Sequence, residues 1–220
     1  MPALLPALAL LFAAVAPPAV DPLVASSVRV TQRVEMTDAQ GVRTTHTSCG
    51  SGTVVALGDR YLVVTCYHVV SSGRLGRVRT DVTGADGVAI PGKVVASDPA
   101  RDLAVIEASA KLVGARPATL AAVESYPSGL QVARVGYPRA GPRKIVAGRL
   151  TGHSVTDARY PGWTSIVASP QAISGDSGGG LFRRSDGALI GVVHSTSILG
   201  AHATQISDIR RLLRRVPPCE

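Results

Sequence analysis

Three side chains in this sequence are of the types that move a proton and form an acyl bond: His68, Asp102 and Ser177. Ser177 stands in Ala172-Ile173-Ser174-Gly175-Asp176-Ser177-Gly178-Gly179-Gly180-Leu181-Phe182, between an aspartate and three glycines and directly before an apolar run. A serine hydroxyl is a weak nucleophile until a base takes its proton. Glycines permit positive φ and close approach of a ligand, and a glycine-rich turn can aim two backbone N–H groups at one point, as a developing oxyanion requires. Ser177 is therefore a candidate nucleophile, with the amides of Gly175 and Ser177 as candidate oxyanion donors. The same string also fits a plain hairpin turn, so it needs partners. His68 closes the apolar run Tyr61-Leu62-Val63-Val64-Thr65-Cys66-Tyr67, and Asp102 precedes Leu103-Ala104-Val105-Ile106-Glu107. A carboxylate at such an edge is partly desolvated and needs donors, for which an imidazole N–H serves. A nucleophile, a base and a carboxylate that orients the base are the components of acyl transfer.

Short strands must position these residues. The 220 residues are 45% hydrophobic but only 4% aromatic, so the core is built mainly of Val, Leu, Ile and Ala. Twenty-three Gly and 15 Pro favour strands and turns over helices. No repeat of fixed period is present. After a linker-like stretch at 21–26, strands are expected at 28–36, 42–48, 53–57, 61–65, 77–83, 88–97 and 103–107, with Gly58-Asp59-Arg60 as a hairpin turn. Residues 108–128 read as a crossing to a second half, with strands at 130–135, 144–150, 164–168, 180–183 and 188–195. Residues 207–216 form the one good helix: Ser207 can cap it, Ile209, Leu212 and Leu213 give an apolar stripe, and Pro217-Pro218 stops it. The expected fold is all-β, two antiparallel six-stranded barrels with a C-terminal α-helix. Barrel one covers about 28–120 and barrel two about 125–206. His68 and Asp102 then lie in the first half and Ser177 in the second, which puts the chemistry in the cleft between them.

On these residues the sequence resembles the trypsin/chymotrypsin-fold serine proteases. Val64-Thr65-Cys66-Tyr67-His68-Val69-Val70 is similar to that family's histidine motif, Asp102-Leu103-Ala104-Val105-Ile106 to its aspartate motif, and Gly175-Asp176-Ser177-Gly178-Gly179 is its G-D-S-G-G string intact. Gly136-Tyr137-Pro138, Val146-Ala147-Gly148-Arg149-Leu150 and the His-Val-Val continuation resemble the bacterial HtrA/Deg branch. The resemblance spans about residues 28–215. It implies that His68 is the general base, that Asp102 fixes its tautomer and that Ser177 attacks the scissile carbonyl, with no metal and no organic cofactor. It implies that Ser195 contacts the triad aspartate, and that Gln171, His194, Ser195 and Thr196 line the substrate pocket. Gln171 stands at the pocket base where trypsin-like specificity needs Asp, and His194 matches a histidine of glutamate-specific bacterial relatives; the implied preference is acidic, Gln or small apolar at P1. HtrA-type proteases usually carry a PDZ domain after the protease, and the expectation here is a chain without one. Gly180 stands where the family most often has proline. No Ile-Val-Gly-Gly activation site follows the leader, so Asp176 is expected to pair with an internal cation, Arg143 or Lys144.

The first 20 residues are apolar and uncharged after the start. They read as a signal peptide within 1–25, with an uncleaved N-terminal anchor as the alternative; four prolines in the first 18 residues oppose a spanning helix. Export permits a disulfide: Cys49 and Cys66 flank one hairpin and either pair or remain buried thiols, leaving Cys219 over. The net charge is +8, with Arg210, Arg211, Arg214 and Arg215 clustered near the end. No nucleic-acid-binding motif accompanies them, and a solvated helix face accounts for them. The expected partner is a protein or peptide substrate, with no nucleic acid, no stable membrane partner and a monomeric chain, secreted or held in the cell envelope. Two other readings use the same letters. Gly175-x-Ser177-x-Gly179 fits the nucleophile elbow of α/β-hydrolase esterases, although Gly178-Gly179-Gly180 is a poor helix start. A protease-fold scaffold is the non-enzymatic alternative, though such proteins typically lose a triad member and none is missing.

Overall fold

Alternating valines build the first sheet. In β1 (Ser27–Thr37) Val28, Val30 and Val34 are buried, as period-two exposure on a pleated strand requires. A computed structural model describes residues 21–71, 76–122, 126–157 and 160–218, the side chains of 154–157 and 160–162 excepted; the leader and Cys219 lie outside these. β1 pairs along its whole length with β2 (Arg43–Leu57), from Thr37 opposite Arg43 to Ser27 opposite Thr53. The expected strands at 42–48 and 53–57 are thus one strand running through Gly50-Ser51-Gly52. Gly58, at φ +60°, and Asp59 turn β2 into β3 (Arg60–Thr65). With β4 (Arg77–Thr83), β5 (Ala89–Asp98) and β6 (Leu103–Ala108), the order β1-β2-β3-β6-β5-β4 closes on itself.

The second half repeats this connectivity without repeating the sequence. β7 (Gln131–Gly136), β8 (Lys144–Asp157), β9 (Tyr160–Ser169), β10 (Gly180–Arg183), β11 (Leu189–Ser197) and β12 (Gly200–Gln205) close in the order β7-β8-β9-β12-β11-β10. The two closed six-stranded antiparallel barrels are the expected architecture. They leave no place for the esterase reading, which needs a parallel sheet and a helix after the nucleophile; here Ser177 is followed by β10. Gly180 opens that strand because a side chain there would collide with the Phe182 ring.

Several boundaries differ from expectation. β12 was missed, since Gly-Ala-His-Ala-Thr-Gln has little β-branched or aromatic content. Pro22–Ala25, read as linker, is a helical turn, α1, capped by the Asp21 carboxylate, which accepts from the Leu23 amide at 2.9 Å. A second helical turn, α2, spans Tyr67–Val70. The C-terminal helix, α3, runs Ile206–Leu213, so Gln205 rather than Ser207 is the N-cap residue. Ile206, Ile209, Leu212 and Leu213 of α3 are buried in one apolar cluster with Leu62, Leu103 and Ile106 of barrel one and Val135, Phe182 and Val192 of barrel two. Each such side chain contributes roughly 1.5–3 kcal/mol, so the helix ties the two barrels together. Three of the four clustered arginines are engaged by the protein: Arg210 donates to Ala121 O, Arg211 pairs with Asp208 at 3.0 Å, and Arg215 lies 3.7 Å from Asp98.

Candidate active site

His68 rides on α2 directly after β3, and Asp102 sits on the turn before β6, so the β3–β6 pairing, with Thr65 opposite Ala104, brings them to one end of barrel one. Asp102 adopts the left-handed region (φ +48°), which Asp tolerates better than most side chains. That conformation turns its carboxylate onto His68. Oδ1 accepts the His68 backbone N–H at 2.9 Å and Oδ2 lies 2.7 Å from Nδ1. The Asp102 carbonyl accepts the Tyr67 N–H at 3.1 Å, closing the contact from a third side. A carboxylate only accepts, so Nδ1 carries a proton toward Asp102, and in the neutral ring Nε2 keeps its lone pair. The Asp102 side chain is 8% exposed and that of His68 50%: the carboxylate is nearly dry and the imidazole faces the solvent side.

Ser177 enters from barrel two on a segment whose carbonyls are all occupied. Ile173 O accepts from Asp176 N at 3.0 Å, Ser174 O from Arg139 N at 2.6 Å, Gly175 O from the Ser51 hydroxyl at 2.7 Å, Asp176 O from Gly179 N at 2.9 Å and Ser177 O from Ser51 N at 2.7 Å. The Asp176-to-Ile173 bond closes a turn with Gly175 at its third position and φ +94°. Positive φ there marks a type II turn, which glycine alone accommodates without strain. A side chain at Gly175 would also collide with Tyr137 O. With the carbonyls turned inward, the amides of Gly175 and Ser177 have no acceptor among the described residues. The next residue shares an acceptor with the segment before His68: Val193 O, on β11, accepts both Gly178 N, at 2.7 Å, and the Cys66 thiol, at 3.1 Å. Ser177 is half-buried, and its hydroxyl makes no hydrogen bond among the described residues. A nucleophile–base bond that is open without substrate and closes in the complex is common for such sites.

Asp176 does have an internal cation, and it is not the expected one. Arg134, on β7, places Nε 3.2 Å from Asp176 Oδ2, with both side chains nearly dry. Its two terminal nitrogens donate to Pro170 O at 2.9 Å and Gln171 O at 3.1 Å. Burial pulls the Arg134 pKa down and Asp176 pushes back. Arg143 instead donates to Val24 O, at 3.1 Å, below α1, and Lys144 forms no ion pair among the described residues. An arginine in mid-strand, flanked by Ala133 and Val135, gave no sign in the sequence of pointing inward.

Of the two alternatives for the cysteines the structure has the free thiols, with Cys49 half-buried and Cys66 buried. The Cys66 side chain turns to Val193 O, and Cys49 lies 3.8 Å from the Thr31 hydroxyl. Cys66 Sγ, His68 and Asp102 offer ligand atoms within 4.8 Å of one another. Burial and the Asp102 charge raise the Cys66 thiol pKa well above its ordinary value, which disfavours the thiolate that a metal needs.

The pocket residues divide. Gln171 is exposed and its amide nitrogen donates to Ser197 O at 3.1 Å. His194 is buried, its ring 4.3 Å from that of Trp163. Ser195 is half-buried and does not hydrogen-bond Asp102, whose carboxylate among the described residues takes its donors from His68 alone. Thr196 turns its hydroxyl to Gly200 O at 3.3 Å, within the β11–β12 hairpin. The sequence offers His202 only as a late histidine for the esterase alternative; without β12 it is not placed beside Ser197. His202 Nε2 lies 2.7 Å from the Ser197 hydroxyl and Nδ1 3.2 Å from that of Ser165.

The trypsin-like peptidase domain model matches residues 50–192. No curated protein sequence matches the chain. Among solved structures, the active form of the Rv3671c protease from M. tuberculosis superposes with a TM-score of 0.71 at 22% identity, over 90% of this chain and 83% of that one. The HtrA-type protease AlgW, solved with a decapeptide, gives 0.70 at 18% identity, over 89% and 67%. These likenesses are in fold, and they agree with the domain match, the twin barrels and the inter-barrel position of the Ser177 loop: the chain belongs to the trypsin-like peptidase family.

Proposed function

We propose that this chain is an exported serine endopeptidase acting through Ser177, His68 and Asp102. The observation that carries the reading is the two-point hold of Asp102 on His68, on Nδ1 and on the backbone N–H. It leaves Nε2 basic and faces it away from the carboxylate. His68 Nε2 takes the Ser177 proton as Oγ attacks the scissile carbonyl. The amides of Gly175 and Ser177 receive the oxyanion. The imidazolium, stabilised by Asp102, protonates the leaving amine, and water then hydrolyses the acyl-enzyme by the same route. Export is inferred from the apolar leader; among the described residues no helix is long and apolar enough to cross a membrane.

The Ser197–His202 pair favours an acidic or amide P1 side chain in this reading. The Ser197 hydroxyl oxygen accepts from Leu199 N at 3.1 Å. When His202 donates from Nε2, the serine proton is left to donate to a carboxylate or amide oxygen. A fluorophosphonate probe tests the activity: it labels the wild type and not Ser177→Ala. Failure to label the folded wild type supports the scaffold reading instead. A P1 peptide library should select Glu, Asp or Gln, and a strong Arg or Lys preference rejects the pocket assignment.

A further inference from the structure

Ser51 takes no part in the chemistry above, yet it touches more of the oxyanion segment than any catalytic group. It lies on β2 of barrel one and is fully buried. Its hydroxyl donates to Gly175 O at 2.7 Å and accepts from Tyr137 N at 2.8 Å. Its N–H donates to Ser177 O, and its carbonyl accepts the Thr65 hydroxyl, each at 2.7 Å. One residue of barrel one therefore grips two carbonyls of barrel two, on either side of Asp176. Between those grips lies the Ser177 amide, and at their edge the Gly175 amide. The same sheet carries His68, through β3 and Thr65.

We propose that Ser51 is a positioning residue for the oxyanion hole, setting the Gly175 end of the hole against the barrel that carries the base. The inference rests on the serine peptidase reading. The hydroxyl is directional because the Tyr137 N–H fills one lone pair and sends the proton to Gly175 O. The surroundings admit no slack: a Cβ on Gly136 would stand 2.9 Å from the Ser51 hydroxyl, and one on Gly178 would collide with the Ser51 carbonyl. Removing the hydroxyl leaves the Ser177 grip, which is backbone, and releases the Gly175 grip. Nucleophile placement then survives while one oxyanion donor loosens.

The test is Ser51→Ala. Loss of a whole oxyanion donor costs about 10²–10³ in kcat; a loosened donor is expected to cost about tenfold or more, with KM nearly unchanged. Affinity for a peptide aldehyde, which forms a tetrahedral oxyanion adduct, should fall by the same factor, and affinity for a non-covalent peptide inhibitor should hold. A merely structural role would lower thermal stability without separating these two inhibitors. If the alanine variant does not fold, Ser51→Cys, similar in shape and a weaker donor, should show the same split. Wild-type kcat in both variants, or equal losses for the two inhibitors, overturns the inference. A wild type that neither hydrolyses peptide nor takes up fluorophosphonate removes the peptidase reading itself, and this inference with it.

Discussion

Replacing Arg134 with methionine should be among the most damaging single changes outside His68, Asp102 and Ser177. The guanidinium is 7% exposed and the Asp176 carboxylate 3%. Methionine fills much of the volume but leaves Asp176 charged and dry, with only the Ile173 N–H, at 3.0 Å, for a partner among the described residues. Breaking a buried pair from one side costs about 3–5 kcal/mol. The carbonyls of Pro170 and Gln171 also lose their donors, but both residues are exposed, so water replaces those donors at little cost. The expected loss is about 4 kcal/mol, set against about 5–15 kcal/mol for a typical domain. For a chain of this length that lowers Tm by roughly 8–16 °C. Asp176→Asn in the Arg134→Met background removes the stranded charge, so the double variant should recover about 2 kcal/mol relative to Arg134→Met. Urea unfolding with a constant m-value measures all three variants. A loss below about 1 kcal/mol for Arg134→Met, or simple additivity in the double variant, refutes the assignment of Arg134 as the partner that keeps the Ser177 loop charged and buried.

Three further outcomes follow from the same geometry. Gly175→Ala should lower kcat by about 10²–10³, measured on a peptide ester, because a side chain at φ +94° is strained and meets Tyr137 O; near-wild-type turnover would remove the Gly175 amide from the oxyanion site. Cys49, half-buried, should alkylate in the native protein, whereas Cys66, fully buried with its thiol pKa raised, should react only on unfolding; peptide mapping after iodoacetamide separates them. Burial raises the Asp208 pKa, with Arg211 and Arg101 only partly opposing it. The folded state thus holds this proton more tightly than the unfolded chain, so the contribution favours folding below the ordinary carboxylate pKa and is lost as pH rises through the raised value. Asp208→Asn should remove that decline, so the variant gains stability relative to wild type as pH rises above the ordinary carboxylate pKa of about 4, read by urea midpoints; an unchanged difference across that rise counts against it.

Local pattern carried the strands whose faces differ. β4 was expected at its observed bounds, Arg77–Thr83, and β6 nearly so, because apolar-polar alternation and turn residues are properties of neighbours in sequence. The triad candidates were legible for the same reason: each sits in a short string whose glycines and apolar flanks announce a turn beside a buried strand. β12 was not legible, because small and polar residues become strand only when β9 and β11 pair with them. The helix start moved one residue because the Ser207 hydroxyl, good by type, is not where the backbone turns.

By itself the sequence determined the all-β class, the two-barrel division and the candidate residue types for acyl transfer. Tertiary structure alone decided which side chains serve them. Arg134 rather than Arg143 neutralises Asp176, His202 reaches Ser197, Cys66 faces Val193 instead of Cys49, and Ser51 spans the two barrels to hold the Ser177 loop. The physical reason is common to all four. Burial makes an unpaired charge or polar group costly, and the partner that relieves it is chosen by distance across the fold, 124 residues apart in the chain for Ser51 and Gly175, which no local pattern records.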